Sequence, residues 1–253
     1  MISIAEIKTQ FNNAADTEIP KLLQEFGNDT RSGVKAVLQK AEKRYEKYLA
    51  ETERTERMLF YEKKYSEYEL ICGIDEVGRG PLAGPVVAGA VILPKDHRIL
   101  YLNDSKQLTA AKREELYDVI MREAVAVGLG EISNERIDEI NILNATYEAM
   151  RMAINNLSKK PDILLNDAVT IPLVDIRQVP IIKGDAKSAS IAAASIVAKV
   201  TRDRLMERMD VEYPGYGFAS NKGYGSKEHI EALKKLGPTP IHRRSFIGNF
   251  ILA

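Results

Sequence analysis

The sequence predicts a mixed α/β sheet covered by helices on both faces, preceded by a helical extension. Three observations carry that expectation. From residue 68 onward, short apolar runs alternate with helical patterns, the arrangement that builds layered α/β domains. Residues 34–59 instead hold one long apolar stripe with no strand signal. The 253 residues and 45% hydrophobic content suffice for one sizeable domain plus an appendage.

The elements follow in order. Val34, Leu38, Ala41, Tyr45, Tyr48, Thr52, Thr55 and Leu59 recur at spacings of four and three, which is a helical face. Thr52 and Thr55 weaken the seam, so a docked or semi-independent helix is expected rather than a stable coiled coil. Pro20 and the segment Gly27 to Gly33 separate it from a shorter helix before. Tyr68–Asp75 and Val86–Leu93 read as strands whose short connection suits an antiparallel pair. Thr109 can cap a helix from Ala110 to about Val125. Val127–Ser133 reads as a further strand, and Asn134–Leu157 as one long helix or two broken ones. Asp162–Asn166 is a short buried strand. Val179–Ile182 is another, placed at an edge because Pro180 cannot donate to a ladder. Ser188–Met209 reads as a helix. Ser226 caps a last one, Lys227–Leu236, which Gly237-Pro238 ends. The domains expected are 1–66 for the extension and 67–253 for the α/β part.

Overall charge says nothing about partners, because Lys+Arg and Asp+Glu are both 36. Its distribution is uneven. Residues 71–180 carry 12 basic and 16 acidic side chains, whereas residues 181–253 carry 12 and 7. A basic final third beside an acidic middle fits a polyanion held against a metal-binding carboxylate cluster; uneven surface charge is the plainer alternative. The single cysteine, Cys72, excludes an intrachain disulfide and a Cys-rich zinc site. It lies in an apolar run, where burial is expected. No apolar stretch reaches the roughly 18 residues of a membrane span. The N-terminus lacks the basic-then-apolar order of a signal peptide, so a cytoplasmic protein with no membrane partner is expected.

The chemistry concentrates in Gly73-Ile74-Asp75-Glu76-Val77-Gly78-Arg79-Gly80-Pro81-Leu82-Ala83-Gly84-Pro85. An apolar run ends in two adjacent carboxylates, and a glycine-rich turn with one arginine follows. Carboxylates at a strand end collect divalent metal, and glycines let backbone N–H groups approach a ligand. Arginine adds a planar donor suited to phosphate. In a regular strand Asp75 and Glu76 would point to opposite faces. The strand must end or twist there, or one residue serves through its carbonyl. The turn is neither a Walker loop nor the dinucleotide fingerprint, since the lysine and the glycine spacing are missing. Asp167 again ends a short apolar run, and Asp185 precedes a helix that it could simply cap. Together these acids can form a carboxylate cage for Mg²⁺ or Mn²⁺. Ser105 and Lys106 after Asp104, Lys183, Lys187, Ser188, Lys199 and Arg202 are candidate substrate contacts. Tyr213 to Ser226 interleaves aromatics, glycines and a lysine. A tyrosine there could stack on a sugar or base, or simply pack on the core. His229 and His242 are too few and too separated to suggest zinc or a hydrolase triad.

The stretch Gly73 to Val87 resembles the signature of ribonuclease HII. So do Asp104-Ser105-Lys106, Asp167-Ala168, and Lys183-Gly184-Asp185 leading into Ser190 to Asp203. Lys222-Gly223-Tyr224-Gly225-Ser226 and His242-Arg243 complete it. The likeness covers residues 70 to about 247. It implies a ribonuclease H-like fold, with a mixed five-stranded sheet flanked by helices and helical segments at both termini. It implies an endonuclease that cuts the RNA strand of RNA–DNA hybrids and incises 5′ of single ribonucleotides in duplex DNA. By motif, Asp75, Glu76, Asp167 and Asp185 would be the catalytic acids and metal ligands, for Mn²⁺ or Mg²⁺. Gly78, Arg79 and Gly80 would read the ribose 2′-hydroxyl and adjoining phosphate, and Tyr224 would stack on the sugar beside the junction. Ser226 stands where threonine is common. Arg79 and a helical N-terminus favour this family over ribonuclease HIII, which usually has lysine in the loop and a sheet-containing N-terminal domain. A monomer is expected. A binding module that lost its chemistry is disfavoured by four intact acids, which repel one another without metal.

Overall fold

The structure, a computed structural model, describes residues 2–251. It divides into two compact units, Met1–Arg57 and Met58–Ala253.

The first unit is helical: α1 (Ile4–Asn13), α2 (Ile19–Phe26) and most of α3 (Ser32–Met58). Two helices precede the long stripe where one was expected. Pro20 lies in the first turn of α2, where its missing N–H has no helical partner to lose, so it starts a helix instead of ending one. Ser3 and Glu6 form a reciprocal cap on α1. The core joins Ile7, Phe11, Ile19, Phe26, Val34, Leu38 and Ala41. Arg44 donates to Asp16 at 2.6 Å and to the carbonyls of Phe11 and Ala14 at 2.9 Å, satisfying the frayed end of α1.

In the second unit α4 (Phe60–Lys64) leads to β1 (Ile71–Val77) and β2 (Val86–Ile92). Then come α5 (Ala110–Glu123), β3 (Ala126–Ile132), α6 (Asn134–Asn155), β4 (Ile163–Asp167) and β5 (Arg177–Ile181). The chain ends in α7 (Ala189–Glu212), α8 (Phe218–Asn221), α9 (Lys227–Leu236) and α10 (Arg244–Ile251). The sheet has five strands in the order β3-β2-β1-β4-β5. β1 pairs antiparallel with β2 and parallel with β4, so it stands where the sheet changes sense. β5 is the edge strand, as Pro180 requires.

Two boundaries differ from expectation for local reasons. β1 begins at Ile71, because the Leu70 N–H bonds the Asp162 carboxylate at 2.8 Å and the Tyr68 hydroxyl accepts from Arg177 at 2.6 Å. α6 is broken at Asn141, whose φ is 66°. Its side chain accepts from the N–H groups of Leu143 and Asn144 at 3.0 and 3.1 Å, so it caps the second half.

Each face of the sheet carries one long helix at backbone contact. A Cβ on Gly73 would lie 2.0 Å from Ser190, and one on Gly89 2.5 Å from the Ala194 carbonyl, so α7 presses directly on β1 and β2. Gly128 and Gly130 play the same part for α6, at 2.0 Å from the Ala153 and Ala149 carbonyls. Cys72, Ile74 and Ala88 join the α6-side core. Alternation along β1 therefore turns Gly73 and Asp75 towards α7. Burial pushes the Cys72 thiol up, as expected of a packing residue.

Candidate active site

The acids collect where the parallel strands end. Pairing between β1 and β4 stops at Ile74 and Asn166. Asp75 and Glu76 continue β1 beyond that point, and Asp167 is the last residue of β4. The strand neither ends nor breaks between Asp75 and Glu76, since pairing with β2 runs on to Val77. The pair thus leaves β1 on opposite sides, and the common neighbour is Asp167, whose charge bears on both. Asp185 lies on a short turn, Gly184–Ala186. It does not cap α7; Ser188 does, accepting from the Ile191 N–H at 3.3 Å. The turn is tied to β4 by the Gly184 N–H, which donates to Asp167 at 2.7 Å. Ala168 and Lys183 hold left-handed φ values of 56° and 57° on either side of this bond. Non-glycine residues there cost energy, and such strain tends to gather at functional sites.

Electrostatics set this cluster apart. Burial, then the charges of Glu76 and Asp167, push the Asp75 carboxyl well above the ordinary range, against a hydrogen bond from Ser195. Burial also raises Glu76, partly offset by Arg79, which donates to it at 3.4 Å. Asp185 is raised to about 6 by burial and by Asp104 and Asp167. Lys106 is raised as well: burial pulls it down, and the carboxylates of Asp104, Asp75 and Asp185 together outweigh that. Among the described residues, no three His, Cys, Asp or Glu side chains form a ready-made metal cage. The donors are nevertheless hard carboxylate oxygens packed against their mutual repulsion. That set suits a divalent ion that keeps part of its water shell, as Mg²⁺ does.

Beside the acids lies the glycine loop, held from behind by two fully buried arginines. Arg243 donates to the carbonyls of Gly78, Arg79 and Gly84 at 2.6, 2.9 and 2.9 Å. Arg202 donates to those of Pro85, Lys222 and Ala83 at 2.9, 2.8 and 3.1 Å. A trans peptide sets its N–H opposite its carbonyl. The same bonds therefore aim the Arg79 and Gly80 N–H groups away from Arg243. Gly78 has a φ of 91°, and a Cβ there would lie 2.3 Å from Arg202, so the loop needs glycine at this point. The Arg79 side chain is about half exposed. The Tyr224 ring is exposed and lies beside Gly80, 3.7 Å from where a Cβ would stand.

The remaining candidates divide. Lys106, Lys183 and Lys187 are exposed. Ser105 is buried and its hydroxyl lies 2.9 Å from that of Ser195, whose own hydroxyl pulls the Asp75 carboxyl down, so it stands behind an acid. Ser188 is fully buried, and its hydroxyl donates to Glu62 at 2.6 Å; it is a cap, and substrate contact was the wrong expectation. Arg202 is likewise corrected, because its donors are spent on loop carbonyls. Lys199 donates to Asp203 at 2.6 Å and is half-buried.

Sequence reasoning missed three things. Asp104 stood inside a recognised motif, Asp104-Ser105-Lys106, yet was not counted among the acids. Ser195 is a lone hydroxyl in the apolar run Ile191–Val197, a signal that could have been read. Arg243 carried no signal of burial. His229 and His242, thirteen positions apart, meet at 3.0 Å.

A family model described as Ribonuclease HII matches residues 72–249, and one described as Ribonuclease HII N-terminal domain matches residues 3–66. Proteins named Ribonuclease HII are similar over most of the chain. That of Lachnoclostridium phytofermentans is 64% identical over 98% of this chain and 98% of its own. That of Acetivibrio thermocellus is 56% identical over 91% and 90%. The crystal structure of the ribonuclease H2 from Pyrococcus horikoshii superposes with a TM-score of 0.61 at 30% identity, covering 72% of this chain and 97% of that one. An RNase HIII structure of 19% identity and TM-score 0.51 covers 66% and 63% and shares the fold.

Proposed function

The chain belongs to the ribonuclease HII family, and we propose on that basis a division of labour among its residues. The protein is a ribonuclease H that acts on RNA–DNA hybrids. In our reading it also incises 5′ of single ribonucleotides embedded in duplex DNA, leaving a 3′-hydroxyl and a 5′-phosphate, as the first cut of ribonucleotide removal in the cytoplasm. In this reading the unit Met58–Ala253 is the catalytic domain and Met1–Arg57 an appended helical unit; the boundary falls before α4 and not at residue 66, because Glu62 accepts from Ser188 and Ser190. No helix among the described residues is long and apolar enough to cross a membrane.

The observation that carries this reading is one end of the sheet presenting two unlike surfaces side by side: clustered acids and an anchored peptide loop. Asp75, Glu76, Asp167 and Asp185 would hold Mg²⁺ or Mn²⁺. Such ions, when bound, activate water and stabilise a leaving oxygen. The Gly78–Gly80 peptides, oriented by Arg243, would bond the 2′-hydroxyl and the neighbouring phosphate. That hydroxyl distinguishes RNA from DNA at a given site. Arg79, Lys106, Lys183 and Lys187 would bind phosphates. Tyr224, beside Gly80, would pack on the next sugar and favour deoxyribose there. Water is the nucleophile in this scheme, so the 2′-hydroxyl is recognised and does not attack.

The test uses duplex DNA with one ribonucleotide, labelled at the 5′ end of that strand, with Mg²⁺, Mn²⁺ or EDTA. A metal-dependent cut just 5′ of the ribonucleotide, with a 5′-phosphate on the downstream fragment, is expected. Cleavage of a continuous hybrid alone would refute junction reading, and a 2′,3′-cyclic phosphate would refute water as nucleophile.

A further inference from the structure

His229 and His242 have no part in the scheme above, yet they form a bonded polar chain in the interior. Both are fully buried. Tyr216 and Phe218, stacked at 5.4 Å, wall them in, with Phe218 5.2 Å from the His229 ring and Tyr216 5.2 Å from the His242 ring. The Thr239 N–H lies 2.9 Å from His242 Nδ1. His242 Nε2 faces His229 Nε2 at 3.0 Å, and His229 Nδ1 lies 2.8 Å from the Tyr224 carbonyl.

These contacts fix the tautomers. A backbone N–H can only donate, so His242 Nδ1 accepts and its proton sits on Nε2. That N–H donates to His229 Nε2, which leaves the His229 proton on Nδ1, donating to Tyr224. Every donor meets an acceptor with both rings neutral. Burial and the facing His229 lower His242 to about 4, in keeping with that state.

The chain joins two segments that both touch the glycine loop. His229 sits in the first turn of α9, directly after the Tyr224 loop, and its N–H bonds the Ser226 cap at 3.2 Å. His242 pairs with Ala83 and immediately precedes Arg243. The Gly223 carbonyl accepts from the Leu82 N–H at 2.8 Å.

We infer that His229 and His242 are positioning residues: a two-imidazole link fixes the Tyr224 peptide to the segment bearing Arg243 and so sets the preference for deoxyribose beside the cleaved ribonucleotide. The inference rests on the reading of Tyr224 given above.

The test is the ratio of kcat/KM on a duplex with one embedded ribonucleotide to that on a continuous RNA–DNA hybrid, with a thermal melt of each variant. His229→Leu removes the bond to Tyr224 and should lower the ratio about five- to ten-fold. His229→Asn keeps a donor for the Tyr224 carbonyl in place of the near ring nitrogen but falls short of His242, so the link is cut and the ratio should stay lowered. His242→Asn keeps an acceptor for Thr239 but falls short of His229; it cuts the link at a second point should His229→Leu not fold. Equal loss on both substrates, or a ratio that Asn at position 229 restores without the bond to His242, would overturn the inference. So would an unchanged ratio. Tyr224→Ala is the separate control. If it lowers the ratio while His229→Leu does not, only the link fails; if it leaves the ratio unchanged, the Tyr224 reading fails and the inference with it.

Discussion

The acid cluster and the glycine loop lie at the same end of the sheet, and they bury polar groups by opposite rules. In the loop the carbonyls are closed from behind. Six guanidinium donors meet six backbone carbonyls, and two histidines complete a chain from Thr239 to Tyr224. In the cluster the balance is left open. Asp75, Glu76 and Asp185 all sit above their ordinary range because burial and the charge of neighbouring carboxylates, Asp167 for all three, disfavour ionisation. The difference separates two tasks. A surface that reads shape has to be finished before the ligand arrives, whereas one that takes up a cation must lack positive charge until then.

The sharpest way to break this comparison is Asp75→Asn. It should cut turnover about a thousand-fold or more and raise the Tm of the metal-free protein, because it removes repulsion; a lower Tm would mean that the acids stabilise the fold. Next is Arg243→Met. Three buried carbonyls lose their donor, which costs about 3 kcal/mol, or roughly 6–12 °C in Tm for a unit of this size. A loss within about 2 °C would show the loop standing without its anchor.

The pH dependence comes third. Carboxyls raised in the folded state bind protons that the unfolded chain has released. Their contribution is therefore complete below the ordinary carboxylate range and is lost as pH rises through each folded-state value; for Asp185 that loss is centred at about 6. In chelator, Tm should fall by a few degrees between about pH 5 and pH 8 on this account. Mg²⁺ or Mn²⁺ should restore it at the higher pH. A Tm that rises over that span would contradict the sign. Smallest is Arg79→Ala, expected to raise KM about five- to ten-fold through a lost phosphate contact, with stability changed by less than about 0.5 kcal/mol. An unchanged KM on both substrates would remove the side chain from the reader.

How much was legible follows from the range of each signal. Periodicity is local, so the strand-end position of Asp167 and the edge position of β5 could be read directly, whereas β1 runs two residues past Asp75, where the sequence predicts an end. The break in α6 was half legible: the sequence leaves one long helix and two broken ones both open, and what decides between them, the Asn141 cap, depends on one side chain. Arg202 and Arg243 could not be placed. Arginine is ordinarily a surface residue, and here a loop more than a hundred positions away supplies five of the six carbonyls that make burial tolerable. His229 and His242 were set aside as too far apart, since sequence separation says nothing about two segments folded against one loop.

The glycines under α7 have a consequence of a different kind. Gly73 meets Ser190 and Gly89 meets Ala194 with no side chain between, and Ser195, which bonds Asp75, follows directly on that contact. The gap between an acid and its hydroxyl donor is thus gauged by the thickness of two backbones. Rotamers cannot retune it, and repacking elsewhere in the core cannot reach it. A single methyl group at either glycine would act as a shim, lifting the helix and opening that gap although no functional side chain had been touched.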